Sequence, residues 1–150
     1  MVNCGGKHDK GNDIPMKIWN KTHHLTDTNL ILNETFCDLR QVADIHANQE
    51  FLHYWDTMPN TVKGYAVAPI DGGGTNCSEY ELLTGNSLQL MPGITPFYVL
   101  DLENANSIAS HLGKLGYETL AAHSESENSY NRLQSYPKLG FQDVRFDLDF

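Results

Sequence analysis

Apolar residues in this chain fall in short clusters separated by polar or glycine-rich stretches, and the spacing inside each cluster predicts the elements. Leu30-Ile-Leu32, flanked by Thr28-Asn29 and Asn33-Glu34, reads as a short buried strand. From Asp38 to Asn60 the positions Val42, Ile45, Phe51, Leu52 and Trp55 give broken helical spacing, so one or two helices and a loop are expected. Thr61 to Ala68 reads as a second strand with Val62, Tyr65 and Val67 as its apolar members. Ser78 to Leu83 reads as a short helix closed by Gly85, and Leu88 to Pro96 as a loop. Ala105, Ile108, Ala109, Leu112 and Leu115 share one face of a helix over 104–115, with Gly116 in the place of a C-terminal cap. Tyr117 to Ala122 is a third strand. The first 27 residues are polar and irregular, a lead-in or tail whose His23-His24 reads either as a metal-binding or as a solvated pair. The order β–α–β–α–α–β predicts one side of a mainly parallel α/β sheet.

Each predicted strand delivers a chemically useful residue to its C-terminal end: Glu34, Thr75 after the glycine run, and His123. In open α/β sheets that edge is where ligands bind. Glu34 reads as a cation ligand or as a cap on the next turn. In Gly72-Gly-Gly-Thr75 the glycines permit a sharp bend and a close approach to a ligand. Thr75 reads as a helix cap or as a hydroxyl held where helix N–H groups favour an anion.

Composition narrows the partners. A net charge of −9, from 19 acidic and 10 basic residues, excludes nucleic acid and an anionic membrane surface as the main partner, because both reward clustered Lys and Arg. Three cysteines without CxxC spacing indicate neither a zinc knuckle nor a disulfide framework. No run of apolar residues is long enough to span a bilayer, and the first residues lack a signal-peptide core, so the chain taken literally reads as soluble and not exported.

A cation held by Glu34 and the Thr75 hydroxyl would make that hydroxyl a nucleophile near neutral pH. Downstream, His123, Glu125 and Arg132 offer a donor, an acceptor and an anion clamp within ten residues. The set suits phosphoryl transfer. Zinc-peptidase and serine-hydrolase chemistry are not indicated, as neither HExxH nor GxSxG is present.

Four blocks, in order, carry a resemblance. They are Asn29-Leu-Ile-Leu-Asn-Glu-Thr-Phe-Cys-Asp38, Gly72-Gly-Gly-Thr-Asn-Cys-Ser-Glu-Tyr-Glu-Leu-Leu-Thr-Gly-Asn86, Leu115-Gly-Tyr-Glu-Thr-Leu-Ala-Ala-His123 and Tyr130-Asn-Arg-Leu-Gln-Ser-Tyr-Pro-Lys-Leu-Gly-Phe141. Across residues 28–146 the chain resembles the lipoteichoic acid synthase family, phosphoglycerol transferases with the sulfatase/alkaline-phosphatase fold. The resemblance implies a partial, truncated version of that α/β three-layer fold with a mainly parallel sheet: residues 28–150 would be the N-terminal half of the catalytic domain. It implies Glu34 and Thr75 as ligands of a divalent metal, manganese first, with magnesium or zinc as alternatives. Thr75 would be the covalent nucleophile, and His123, Glu125, Tyr130 and Arg132 would bind the glycerophosphate. The implied donor is a phosphatidylglycerol-type lipid and the implied acceptor a glycerophosphate polymer of the cell envelope. Family members sit in the bacterial membrane with the catalytic domain outside. Tyr130 stands where many members have Trp, and Glu125 where some have Asp. A sulfatase reaction is not implied, because no C/S-x-P-x-R motif occurs.

The family's remaining Asp-His metal ligands and its transmembrane helices are expected outside this chain, so the isolated 150 residues should show little or no turnover. An open strand edge and an uncovered apolar face should make them poorly soluble. Two further readings stand beside this one: a phosphoethanolamine transferase or phosphatase of the same superfamily, and a non-catalytic remnant.

Overall fold

The computed structural model describes residues 27–33, 37–41, 43–44, 52–70 and 72–149, and the chain divides into two units, 1–66 and 67–150. Nearly all of the predicted lead-in, together with Glu34, Val42 and all of residues 45–51 of the expected helical pattern, lies outside the described residues.

Among the described residues of the first unit, a 3-10 turn, Leu39–Gln41, and a short helix, α1 (His53–Thr57), are formed. Arg40 bridges them, donating to Asp38 at 2.7 Å and to Asp56 at 2.8 Å. Leu30-Ile-Leu32, expected as the first strand, form none, and Ile31 is 62% exposed. The expected second strand is likewise unpaired: Val62 is 98% exposed and Tyr65 90%. The alternation there suits a strand, yet a strand exists only where a neighbour takes up its backbone N–H and C=O groups.

Glycine punctuation frames the second unit. Gly72, Gly73 and Gly74 all adopt positive φ, and Gly74 is the left-handed N-cap of α2 (Thr75–Thr84). Gly85, also left-handed, closes that helix by donating its N–H to the Glu81 carbonyl at 2.8 Å. Three more residues are thus helical than the sequence pattern predicts at the N-terminal end. The buried face of α2 comprises Asn76, Cys77, Glu79, Tyr80 and Leu83, so polar groups occupy positions where an amphipathic helix would place apolar ones.

Pro96, the last residue of the expected loop, opens the short helix α3 (Pro96–Val99), for which the sequence reading has no element. The helix expected over 104–115 is trimmed to α4 (Ile108–Lys114), because Ser107 and Ser110 form a reciprocal capping box that fixes its start. The third expected strand is realised as β1 (Leu120–Ala122). After a 3-10 turn at Ser129–Asn131 come α5 (Arg132–Lys138), β2 (Asp143–Arg145) and a final turn at Asp147–Asp149. β1 and β2 are parallel, with Leu120 opposite Asp143, Ala121 opposite Val144 and Ala122 opposite Arg145. Among the described residues this is a mixed α/β arrangement with one parallel pair of strands, too small to make the three layers that the resemblance implies.

The core of this unit gathers around Tyr136. Its ring meets Phe97 and Phe141 edge-on at 6.1 and 5.5 Å and stacks on Phe146 at 6.4 Å. Leu139 is wholly buried, and Gly140 lets α4 come close, since a Cβ there would stand 2.7 Å from the Ser110 backbone. Among the described residues no helix is long and apolar enough to cross a membrane.

Candidate functional site

Thr75 is the first residue of α2, and the cap position before it belongs to Gly74. No side chain caps that end, and Cys77 donates its N–H to the Gly74 carbonyl at 2.8 Å. The threonine hydroxyl is thereby free of the capping duty that is one of its two sequence readings. The left-handed Gly74 is needed for the approach: a Cβ would lie 2.2 Å from Ile70 Cδ1. Beside Thr75, Asn76 is fully buried and both atoms of its amide lack a hydrogen-bond partner, an arrangement that costs stability wherever it is kept.

One helical turn beyond Thr75, on the same face, stands Glu79. Its carboxylate is the hub of the unit's polar interior. Oε1 accepts from Arg132 Nη2 at 2.6 Å and from Nε at 3.1 Å; Oε2 accepts from Nε at 3.1 Å and from the Tyr136 hydroxyl at 3.0 Å. The Arg132 side chain is completely buried and that of Glu79 nearly so. Burial works against the guanidinium's charge, but the hydrogen bonds and charge of Glu79 outweigh it and hold its pKa above the ordinary arginine value. Burial, reinforced by the Glu79 charge, pushes the Tyr136 phenol well above its usual range.

On the Nη1 side of this guanidinium stands Glu125, with Ser129 beside it. Arg132 Nη1 donates to Ser129 Oγ at 3.1 Å and reaches Glu125 Oε2 at 3.4 Å. Ser129 donates its hydroxyl to the same Glu125 oxygen at 2.6 Å, and this bond, with Arg132 behind it, holds the Glu125 carboxyl below its ordinary pKa. His123 follows β1 directly, its N–H donating to the Arg145 carbonyl at 2.9 Å. Its Nδ1 accepts from the Glu125 N–H at 3.1 Å, so the neutral ring carries its proton on Nε2, which stands 4.0 Å from Glu79 Oε1. Tyr130 lies over Arg132 at 5.2 Å, in a left-handed backbone conformation (φ 52°) that a tyrosine rarely takes. Asn131, left-handed as well, anchors that bend by donating Nδ2 to the Phe97 carbonyl at 2.8 Å.

Glu125 and Tyr130 therefore meet at the Arg132 guanidinium, His123 adjoins the group through the Glu125 N–H and toward Glu79, and Glu79 ties Arg132 to the Thr75 helix. Glu79, Ser129 and Tyr136 are the members that sequence reasoning missed. Helical spacing held the signal: Glu79 is four residues beyond Thr75, and Tyr136 four beyond Arg132. Of the metal pair expected from the sequence, Glu34 lies outside the described residues. Among the described residues no three His, Cys, Asp or Glu side chains cluster as metal ligands. Thr75 offers one hydroxyl, and Glu79 is already neutralised by Arg132 and bonded by Tyr136. The described donor set does not by itself fit a divalent ion.

No protein-family model matches the sequence, and no curated protein matches it. Among solved structures, the lipoteichoic acid synthase LtaP from Listeria monocytogenes is similar at 23% identity with a TM-score of 0.49, over 55% of this chain and 20% of that one. This chain thus spans about a fifth of that chain's length, and a likeness of this extent fixes neither activity nor substrate.

Proposed function

We propose that this chain is part of the catalytic unit of a phosphoglycerol transferase of cell-envelope polymer synthesis, with Thr75 as its covalent nucleophile. The observation that carries the reading is the Glu79 tie: one carboxylate, one turn beyond Thr75, joins Arg132 and approaches His123, residues that lie far from it in sequence. In the reaction, Thr75 Oγ forms a bond to the phosphorus of a phosphatidylglycerol-type lipid. The bond from phosphorus to the diacylglycerol oxygen breaks, and the threonine proton ends on the released diacylglycerol. A terminal hydroxyl of the polymer then attacks the phosphorus, the Oγ–P bond breaks, and its proton returns to Thr75. His123, Glu125, Tyr130 and Arg132 bind the glycerophosphate group. A divalent ion, manganese first, held by Glu34 and Thr75 belongs to the same proposal and would supply charge stabilisation; no step here is routed through it. The working site would be the outer face of a cell membrane.

The test is to incubate the chain with phosphatidylglycerol vesicles and manganese and to map adducts by peptide mass spectrometry. A glycerophosphoryl group on the Thr75 peptide, absent in Thr75→Ala, is expected, without sustained release of diacylglycerol. No adduct on the wild-type chain would reject the nucleophile. A second reading, a remnant that binds no phosphate, draws on one observation: the Arg132 guanidinium is engaged on both sides, by Glu79 and by Ser129 with Glu125. It predicts neither an adduct nor a response to glycerol phosphate.

A further inference from the structure

Glu79 is an expensive residue to place where it is. A carboxylate on the buried face of a helix must be fully paired to be tolerated, and here both oxygens are used, by Arg132 and Tyr136. An apolar side chain at this position would pack without that requirement. What the carboxylate achieves is a fixed distance between two parts of the chain. α2 carries Thr75 at its start, and Glu79 lies on the same face one turn along. The loop from His123 to Asn131 carries the groups that surround Arg132, and it contains the strained bend at Tyr130 and Asn131. Among the described residues, the hydrogen bonds and ion pairs that link this loop to α2 side chains run through Glu79: toward His123 Nε2 at 4.0 Å, and through Arg132 to Glu125 and Ser129.

We infer that Glu79 is a positioning residue: it holds His123 and the Arg132 cluster in register with Thr75, so that one bound glycerophosphate reaches both. This rests on the phosphoglycerol reading for the identity of the ligand, but the register itself is a property of the free chain. Glu79 need not touch the ligand. Its two oxygens face the protein, and its negative charge orients the Nε2–H of His123 while Glu125 N–H holds Nδ1.

The experiment uses the full chain with Glu79→Gln and Glu79→Asp. Glutamine keeps the shape but cannot accept with its nitrogen; aspartate keeps the charge but withdraws it by one methylene. Hydrogen exchange of the free proteins compares residues 123–131 with α4 in the same unit. Titration with glycerol phosphate is then followed by NMR at the His123 ring and the Thr75 amide. Exchange over 123–131 should rise by about tenfold or more relative to α4 in Glu79→Gln, the scale of one charge-assisted hydrogen bond, with Glu79→Asp between it and wild type. In wild type, His123 and Thr75 should report one affinity. In Glu79→Gln the His123 response should weaken about tenfold against that of Thr75.

A uniform rise in exchange throughout the unit would overturn the assignment, since lost stability alone produces that. So would an unchanged common affinity in Glu79→Gln. If Glu79→Gln does not fold, Glu79→Asp carries the same comparison, and wild-type exchange at 123–131 in folded Glu79→Asp rejects the idea. Absence of any glycerol phosphate response in wild type would reject the phosphoglycerol reading, while the exchange comparison would still decide the role of Glu79.

Discussion

Replacing Arg132 with methionine isolates the energetic weight of the buried pair. Arg132 has no exposed side-chain surface and Glu79 retains 8%, and their contacts span 2.6 to 3.1 Å. Removing the guanidinium leaves a buried carboxylate whose one remaining strong donor is the Tyr136 hydroxyl. Breaking a buried pair from one side costs about 3–5 kcal/mol, because the stranded charge keeps its desolvation penalty. Set against a total stability of roughly 5–15 kcal/mol, that is a large share. For a unit of this size the midpoint of thermal unfolding should fall by more than about 10 °C. Glu79→Met should behave similarly, leaving the guanidinium stranded. The double variant removes both charges and fills the space with flexible apolar side chains, so its cost should fall short of the sum of the singles by about 2–3 kcal/mol. Urea titrations followed by far-ultraviolet circular dichroism provide the four free energies, with an unchanged m-value as the check on the cycle. Single changes that cost under about 1 kcal/mol and add would show that solvent screens the pair, and the hub would lose its physical basis.

Gly140→Ala should cost roughly 2–4 kcal/mol, since the new Cβ meets the Ser110 backbone at 2.7 Å and φ is +97°. Gly74→Ala should be milder, about 1–2 kcal/mol, because its clash is with the end of the Ile70 side chain, which can rotate away; thermal melts of the two separate the cases. Ser107→Ala removes an acceptor for the Ser110 N–H and a donor to the Leu139 carbonyl, and denaturant titration should show a loss of about 1–2 kcal/mol. Glu125 has a depressed folded-state pKa, so its contribution to stability is present above the unfolded carboxylate value and fades as pH falls through the folded one. Ser129→Ala removes the main cause, and a carboxyl-carbon NMR titration should show the Glu125 midpoint move upward; an unmoved midpoint would assign the depression elsewhere.

Local features of the fold were legible where they depend on a few neighbouring residues. Gly85 marks the end of α2, and the Tyr117–Ala122 run contains β1 and delivers His123 to its end. β2 was not legible, because Asp143-Val-Arg145 has a single apolar residue and becomes a strand only against β1. Helix α5 is mostly polar and contains Pro137, two signals against a helix; the proline falls in the last turn, where its ring does least harm. The 61–68 stretch has strand-like alternation but pairs with no strand among the described residues. In the site, His123, Glu125 and Arg132 were legible from their spacing and Tyr130 only from the resemblance; they lie near one another, but the carboxylate that joins Arg132 to α2 was not legible. Glu79 is 53 positions from Arg132, and nothing in a helical pattern marks a glutamate as buried until its counter-charge is located.

The costs in this unit are not spread evenly. Three left-handed glycines precede Thr75, an unpartnered buried amide sits beside it, a charged pair is buried one turn on, and a tyrosine and an asparagine are bent into the left-handed region next to the paired arginine. Each of these lowers stability relative to a simpler alternative. The aromatic cluster of Tyr136, Phe97, Phe141 and Phe146 supplies the packing that offsets them. Unfavourable features concentrated on one helix end and one loop are what a site requires, since reacting groups must be held where packing alone would not put them. The double methionine variant tests this division directly. Its cost should fall short of the sum of the two single changes, and it should no longer keep His123 in register with Thr75.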